Sequence, residues 1–372
     1  MGIRVGIVGV GNCAKSLVEG LALYTSRPQV SVGLTRTRIG PYLVADIEIV
    51  AAFDIDQRKV GKPLHQALNS EPNRTMQLCP MSDSPVIVER GPTGDSLIDE
   101  LTEFYIHESP VPAVDIAAVL KITATEILLN YLPTGSNMTA RMYADAALEA
   151  GCSFINCMPA PLAKDADLER RFTAAGLVLL GDDIKSQCGA TVLNRMLLDM
   201  MRSRGIQVTS STQTNCGGNS DHFNLQFRGT DKEQSKEAAL RSVMAQDDAV
   251  PRVCMRYDKN QYDHKRAEIV IEGKIFGLAP VNVTIKLEDE DSPNSAGVVV
   301  DAIRAAKILQ ETDRPELASE LGPFLMKSPP YQLGELEASV RFDSALKEAL
   351  VPRKRGVQSD SSGRLNCKSA AR

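Results

Sequence analysis

The strongest constraint on the fold lies at the start of the chain. A short β-branched run, Val5-Gly6-Ile7-Val8, leads into Gly9-x-Gly11-x-x-Ala14, and the helix-compatible residues Lys15-Ser16-Leu17-Val18-Glu19 follow. Gly9 permits a tight strand-to-helix turn, Gly11 lets the backbone approach a pyrophosphate, and Ala14 lets the helix pack closely on a sheet. Free N–H groups at such a helix start attract phosphate oxygens. The glycine pattern alone also fits an ordinary turn; its place after the first apolar strand makes it a dinucleotide loop. Asn12 and Cys13 occupy the variable positions of that loop. A later strand, Ile47-Glu48-Ile49-Val50-Ala51-Ala52-Phe53-Asp54, ends in an acid suited to ribose hydroxyls. Asp54 lies farther downstream than the usual spacing of about twenty residues, so residues 26–45 read as an excursion. Nicotinamide adenine dinucleotide (NAD) is the expected cofactor.

From residue 112 the pattern alternates regularly: helix 113–121, strand 126–132, helix 137–150, strand 152–157, helix 164–175, strand 177–180. Pro133-Thr134-Gly135-Ser136 supplies a turn and the cap of the third of these elements. Such alternation predicts an α/β fold, a Rossmann-like doubly wound parallel sheet whose ligands gather at the carboxyl ends of the strands. A helix over 187–204 then crosses into an inserted α+β unit. That unit holds a polar strand (206–215), a glycine-rich loop (216–222), a charged helix (231–246) and strands near 267–276 and 281–288. Alternation in Val281-Asn282-Val283-Thr284-Ile285-Lys286-Leu287 predicts an antiparallel sheet with one wet face. The expected boundaries are 1–200 for the dinucleotide domain, 201–292 for the insertion, 293–352 for the return, and 353–372 for a disordered basic tail.

Composition excludes several classes. A net charge of −5 argues against a generic nucleic-acid binder. No apolar run approaches the roughly eighteen residues of a membrane helix, and Met1-Gly2-Ile3-Arg4 leads into a strand rather than a signal peptide. The eight cysteines form no CxxC pair and the four histidines no HExxH pair, so no zinc site is expected and the setting reads as reducing cytoplasm.

Five further stretches carry polar residues that packing alone does not demand. They are Gly181-Asp182-Asp183-Ile184-Lys185-Ser186-Gln187, Asn215-Cys216-Gly217-Gly218-Asn219-Ser220-Asp221-His222, Asp263-His264-Lys265-Arg266, Glu290-Asp291-Ser292-Pro293-Asn294-Ser295-Ala296-Gly297 and Phe324-Leu325-Met326-Lys327-Ser328-Pro329-Pro330. Singly, each suits a cap, a turn or a solvated charge. In this order and wording they resemble the myo-inositol-1-phosphate synthase family in its shorter bacterial and archaeal form, from Val5 to about Pro330.

The resemblance implies an isomerase that uses NAD without consuming it. In that family C5 of an opened glucose 6-phosphate is oxidised, a C6 proton is lost, the enol carbon attacks the C1 aldehyde, and the ring ketone is reduced again. Carried onto this chain, the catalytic residues are Lys232, Lys236, Lys265 and Lys327, with Asp183 and Asp291 orienting them. Lys236 and Lys265 also belong to the implied substrate set, with Asn219, Asp221 and His222. The implied cofactor set is Gly9, Gly11, Asn12, Cys13, Asp54, Pro133, Thr134, Gly135, Asp182, Lys185, Ser186 and Gln187. Alone, the i, i+4 pair Lys232 and Lys236 describes a wet helix face; only the motif match gives it a catalytic reading. The resemblance further implies a homotetramer built through the middle unit and leaves room for an activating cation. Departures cluster around the substrate: a shortened 223–231 loop, Asp231 in place of a serine, Asn260-Gln261-Tyr262-Asp263 before Lys265, and His222 where bacterial relatives carry an aromatic residue. They open an alternative, cyclisation of fructose 6-phosphate to a five-membered cyclitol phosphate for carbocyclic nucleosides.

Overall fold

A computed structural model describes residues 2–81, 83–95, 99–228 and 230–352; the side chains of residues 99, 104, 228, 230–232 and 235 lie outside that description, as does the expected tail over 353–372. In chain order the first unit comprises β1 (Ile3–Val8), α1 (Asn12–Ser26), β2 (Arg38–Ile39), β3 (Tyr42–Leu43), β4 (Ile47–Asp54), α2 (Leu64–Leu68), β5 (Val88–Arg90), α3 (Asp99–Phe104), α4 (Ile116–Ile122), β6 (Ile127–Asn130), α5 (Asn137–Ala150), β7 (Ser153–Asn156), α6 (Ala166–Ala174) and β8 (Leu179–Leu180). Then come α7 (Ala190–Ser203), β9 (Gln207–Gly217), α8 (Ser220–Arg228), α9 (Thr230–Arg241), β10 (Arg252–Tyr257), β11 (His264–Lys274), β12 (Pro280–Glu290), α10 (Asp291–Glu311), α11 (Ala318–Leu325) and α12 (Glu335–Leu350).

The first sheet runs β5-β4-β1-β6-β7-β8 with every neighbour parallel. This is the doubly wound order, with its switch point between β1 and β6. Ile3, Val5, Ile7, Ile127 and Leu129 are fully buried, as strands covered on both faces require. The excursion folds as the β2–β3 hairpin. Helix α10 is buried nearly all round, and Ala302, Ala305 and Ala306 let it lie close to α1. A helix apolar on every side belongs in a core, so the chain must return to the first unit after the insertion.

The second sheet runs β10-β9-β11-β12. Strands β9, β11 and β12 are antiparallel as expected, but β10 joins β9 in parallel, making the sheet mixed. Helix α7 packs on this sheet through Ala190, Leu198 and Met201, so the crossover lies nearer residue 187 than 200. Within the inserted unit, two of the described elements escaped the sequence reading. Strand β10 presents Arg252, Cys254 and Arg256 on a wet face, and the supposed 223–231 loop is largely helix α8. The capping of α5 also differs. Ser136 makes no side-chain cap; the Asp95 carboxylate accepts from Met138 N at 3.1 Å and Thr139 N at 2.7 Å instead.

Candidate active site

The carboxyl ends of β1, β4 and β6 open on one cavity. Gly9 turns the chain at φ 88°, where an added Cβ would meet the Tyr131 carbonyl oxygen at 2.8 Å, whereas a Cβ on Gly11 would meet nothing within 4 Å. Gly11 therefore faces open space at the start of α1, whose first turn carries no acidic side chain and no side-chain cap. Ala14 is fully buried. These features fit a dinucleotide pyrophosphate. Asp54 lies on the wall, and its carboxylate steadies the loop. Val10 N donates to it at 2.8 Å, Ile55 N at 2.7 Å and Asp56 N at 2.9 Å, with Lys59 Nζ 3.7 Å away. Asn12, Cys13, Pro133, Thr134 and Ser186 line the same cavity; Gly135 sits in the turn between lining residues without lining it. Burial pushes the Cys13 thiol up to about 12, with Asp263 and Asp291 adding to the effect, so this sulfur stays protonated and is no nucleophile.

Three expected cofactor contacts fall behind that wall. Asp182 is fully buried and accepts from Asn156 Nδ2 at 2.7 Å and Ala163 N at 3.2 Å; burial raises its carboxyl to about 7. Lys185 points away from the cavity and donates to both Glu335 oxygens at 2.9 Å and to the Pro323 carbonyl at 2.7 Å. Gln187 donates to the Gly33 carbonyl at 2.7 Å and lies against Gly297, where any Cβ would strike its amide. The physical reason is a break in alternation. Residues 183–185 pair with 325–327 through Lys327 N to Asp183 O (2.7 Å) and Lys185 N to Leu325 O (2.9 Å), and a regular strand would put Asp183 and Lys185, two apart, on one face. The left-handed backbone of Asp183 at φ 61° breaks that pattern, so Asp183 lines the cavity and Lys185 does not.

A second, smaller cavity adjoins the first, and Ser186, Asp291 and Lys327 line both. Lys236, Lys265, His222 and Asn215 complete its wall with the first residues of α7. Lys327 donates to Asp183 Oδ1 at 2.9 Å and the Ile184 carbonyl at 2.6 Å. Asp183 holds a left-handed backbone at φ 61°, a strained conformation of the kind that clusters at functional sites. Lys265 is bonded to Asp291 and lies 3.5 Å from Asp289, and Lys236 contacts the Met255 sulfur at 3.2 Å. All three lysines are largely buried, so their charges act through little intervening water. Lys232 sits on α9, but its side chain lies outside the described residues.

Sequence reasoning named one residue only as part of a polar stretch and gave it no role, although it ties three walls of the first cavity together. Asp263 is buried, and its Oδ1 accepts from Asn12 Nδ2 (3.2 Å), Asn219 Nδ2 (2.9 Å) and Ser292 Oγ (2.9 Å). With its amide nitrogen so engaged, Asn219 turns its oxygen to His222, accepting from the backbone N at 3.0 Å and lying 3.2 Å from ring Nδ1. Asp221 lies on the first cavity and accepts from Thr134 Oγ1 at 3.4 Å. A ring cluster of Tyr105, Phe223, Phe227 and Tyr257 ties α3's end to α8 and β10. Among the described residues no cluster of His, Cys, Asp and Glu is built to hold a metal, and no helix is long and apolar enough to cross a membrane.

Known proteins share this arrangement. A family model described as myo-inositol-1-phosphate synthase matches residues 189–292. The inositol-3-phosphate synthase of Mycobacterium tuberculosis H37Rv is 40% identical over 341 residues, covering 89% of this chain and 92% of that protein. The crystal structure of Ari2 is 34% identical, covers 94% of this chain and 98% of its own, and superposes with a TM-score of 0.75. A myo-inositol-1-phosphate synthase-related protein from Thermotoga maritima shares the fold at 22% identity and a TM-score of 0.76, over 93% of this chain and 99% of its own. On full-length identity to the mycobacterial synthase, and on a six-stranded parallel sheet feeding a lysine-lined cavity, this chain belongs to the myo-inositol-1-phosphate synthase family.

Proposed function

We propose that the chain is an NAD-dependent sugar-phosphate cyclase converting glucose 6-phosphate to an inositol phosphate. One observation carries the reading: three largely buried lysines and the Asp291 carboxylate line a cavity that shares a wall with the glycine-loop cavity, where Asp183 holds Lys327 from the other side. When bound, NAD supplies reversible hydride removal and return. The residues of the chain do the rest. Lys327, on the shared wall, takes the proton of the hydroxyl being oxidised and then stabilises the ketone oxygen, with Asp183 holding its ammonium in place. Lys265 and Lys236, with backbone N–H groups at the start of α7, hold phosphate and the aldehyde oxygen; Asp291 orients Lys265. Loss of the C6 proton leaves an enolate whose carbon bonds to C1; the lysine amines carry that proton away and deliver one to the aldehyde oxygen, which becomes a hydroxyl. The removed hydride would return from bound NAD, and Lys327 would return its proton to the ketone oxygen, so the net change is an isomerisation. In this reading residues 1–187 and 293–352 chiefly hold the cofactor, residues 188–292 chiefly the sugar phosphate with Lys327 reaching in from the returning segment, and a cytoplasmic homotetramer forms through the second sheet. Asp54 on the wall supports a preference for NAD over NADP, since a carboxylate repels a 2′-phosphate.

A second reading, fructose 6-phosphate closing to a five-membered cyclitol phosphate, is favoured by one feature. His222 lines the lysine cavity and adds an imidazole to the wall facing the sugar. The deciding experiment incubates pure enzyme with each sugar phosphate and substoichiometric NAD, and identifies the ring by NMR. A six-membered product from glucose 6-phosphate at many turnovers per NAD is expected. A five-membered product from fructose 6-phosphate, with glucose 6-phosphate inert, overturns the first reading in favour of the second. Stoichiometric accumulation of NADH overturns both.

A further inference from the structure

Arg195 stands on α7, is almost wholly buried, and touches neither cavity. Its guanidinium nevertheless reaches both elements that deliver lysines to the site. Nη1 donates to the Ala239 carbonyl at 2.7 Å and Ser242 Oγ at 3.1 Å, at the end of α9, about one turn beyond Lys236. The same Nη1 lies 2.9 Å from Gln332 Oε1, and Gln332 Nε2 donates to the backbone carbonyl of Lys327 at 2.7 Å. Nη2 donates to the Leu333 carbonyl. Nε lies 2.8 Å from Glu335, whose carboxylate also takes Lys185. One buried carboxylate therefore sits between two cations and keeps the guanidinium in register.

We propose that Arg195, with Gln332 and Glu335, is the positioning group that fixes Lys327 relative to Lys236. Lys236 and Lys327 come from elements about ninety residues apart. A planar fork with five donors reaches more partners across both elements than the three donors of an ammonium can serve. The charge alone does not explain the arrangement, because Glu335 is already neutralised by Lys185. A shift of about 1 Å in a reacting group can cost about a hundredfold in rate, so Arg195 acts through the lysines without touching substrate.

The inference rests on the cyclase reading for its kinetic arm and on chemistry alone for its second arm. Gln332 is half-buried and outside both cavities, so Gln332→Leu and Gln332→Glu test the tie without emptying the core. The first removes both bonds; the second still accepts from Arg195 but cannot donate to the Lys327 carbonyl. Both are expected to lower kcat about ten- to a hundredfold while NAD affinity, KM for the sugar phosphate and the melting temperature stay near wild type. Arg195→Lys, which keeps the charge and loses the fork, is expected not to restore turnover. In the absence of any substrate, reductive methylation followed by mass spectrometry is expected to show Lys327 modified several-fold faster in Gln332→Leu, with exposed Lys121 unchanged. Unchanged kcat together with unchanged Lys327 labelling overturns the proposal, as does a full-activity Arg195→Lys enzyme. A parallel fall in kcat, NAD affinity and melting temperature also overturns it, because that is ordinary destabilisation. If wild type turns over neither sugar phosphate, the cyclase reading fails, and the labelling result still decides the tie.

Discussion

Lys327 and Lys265 occupy different positions in the same cavity, and their replacement should read out differently. Lys327→Ala removes a preorganised cation from the wall shared with the dinucleotide cavity, so kcat should fall by about a hundredfold or more. Isothermal titration should find NAD binding intact, because no contact to the glycine loop is lost. Lys265→Ala should raise KM for the sugar phosphate as well, which steady-state kinetics will separate. At His222 the test is substrate choice. His222→Phe should shift the ratio of activities on glucose 6-phosphate and fructose 6-phosphate while NAD affinity holds, since His222 lines only the lysine cavity. An unchanged ratio means the imidazole does not meet the sugar. Most of these positions were legible in the sequence, because the loop, the paired aspartates and the lysines occur in fixed wording. Lys185 and Gln187 belong to the same wording yet point elsewhere: the left-handed backbone at Asp183 breaks the strand alternation, and nothing in the spacing of the motif marks that break. Asp263, Arg195 and Glu335 were illegible for a related reason. A buried charge looks like a solvated one until its partners, far away in sequence, are known.

At the scale of elements, helix ends and strand edges account for the surprises. Helix α5 is capped by Asp95, reaching from beyond the preceding strand, rather than by the local serine. Asp95→Ala should therefore cost about 1 kcal/mol of stability, seen as a lower urea midpoint, whereas Ser136→Ala should leave that midpoint nearly unchanged. Strand β10 was missed because its wet-face arginines alternate with Val253 and Met255 over only six residues, a pattern too short to separate from a polar loop. Helix α8 was missed because its apolar face is made of a few aromatic residues: besides the Phe223–Phe227 pair within the helix, Phe223 finds its partners in Tyr105, just past α3, and Tyr257 of β10, far away in sequence. Long periodic segments such as α10 and the β11–β12 pair were legible, since their burial repeats over many residues.

For the whole molecule, pH offers a test of how tightly the two bridge segments are closed over the first sheet. Burial lifts the Asp182 carboxyl from 3.8 to about 7, so between those values the folded chain holds a proton that the unfolded chain has lost. This group's stabilising contribution is complete below the lower value and disappears as pH rises through the upper one. Chemical denaturation of wild type from about pH 4 to about pH 8 should show a downward slope relative to Asp182→Asn, which cannot titrate. Parallel profiles would mean that the carboxyl is not sealed from water. The Asp263 junction has a different consequence, for engineering. One carboxylate oxygen takes donors from Asn12, Asn219 and Ser292, which belong to the dinucleotide loop, the inserted unit and the returning helix. The insertion is therefore no interchangeable cartridge. A chimera that grafts residues 188–290 from a relative inherits a working cavity only if all three donors still meet the acceptor, so recombination sites are best sought where this seam is carried over whole.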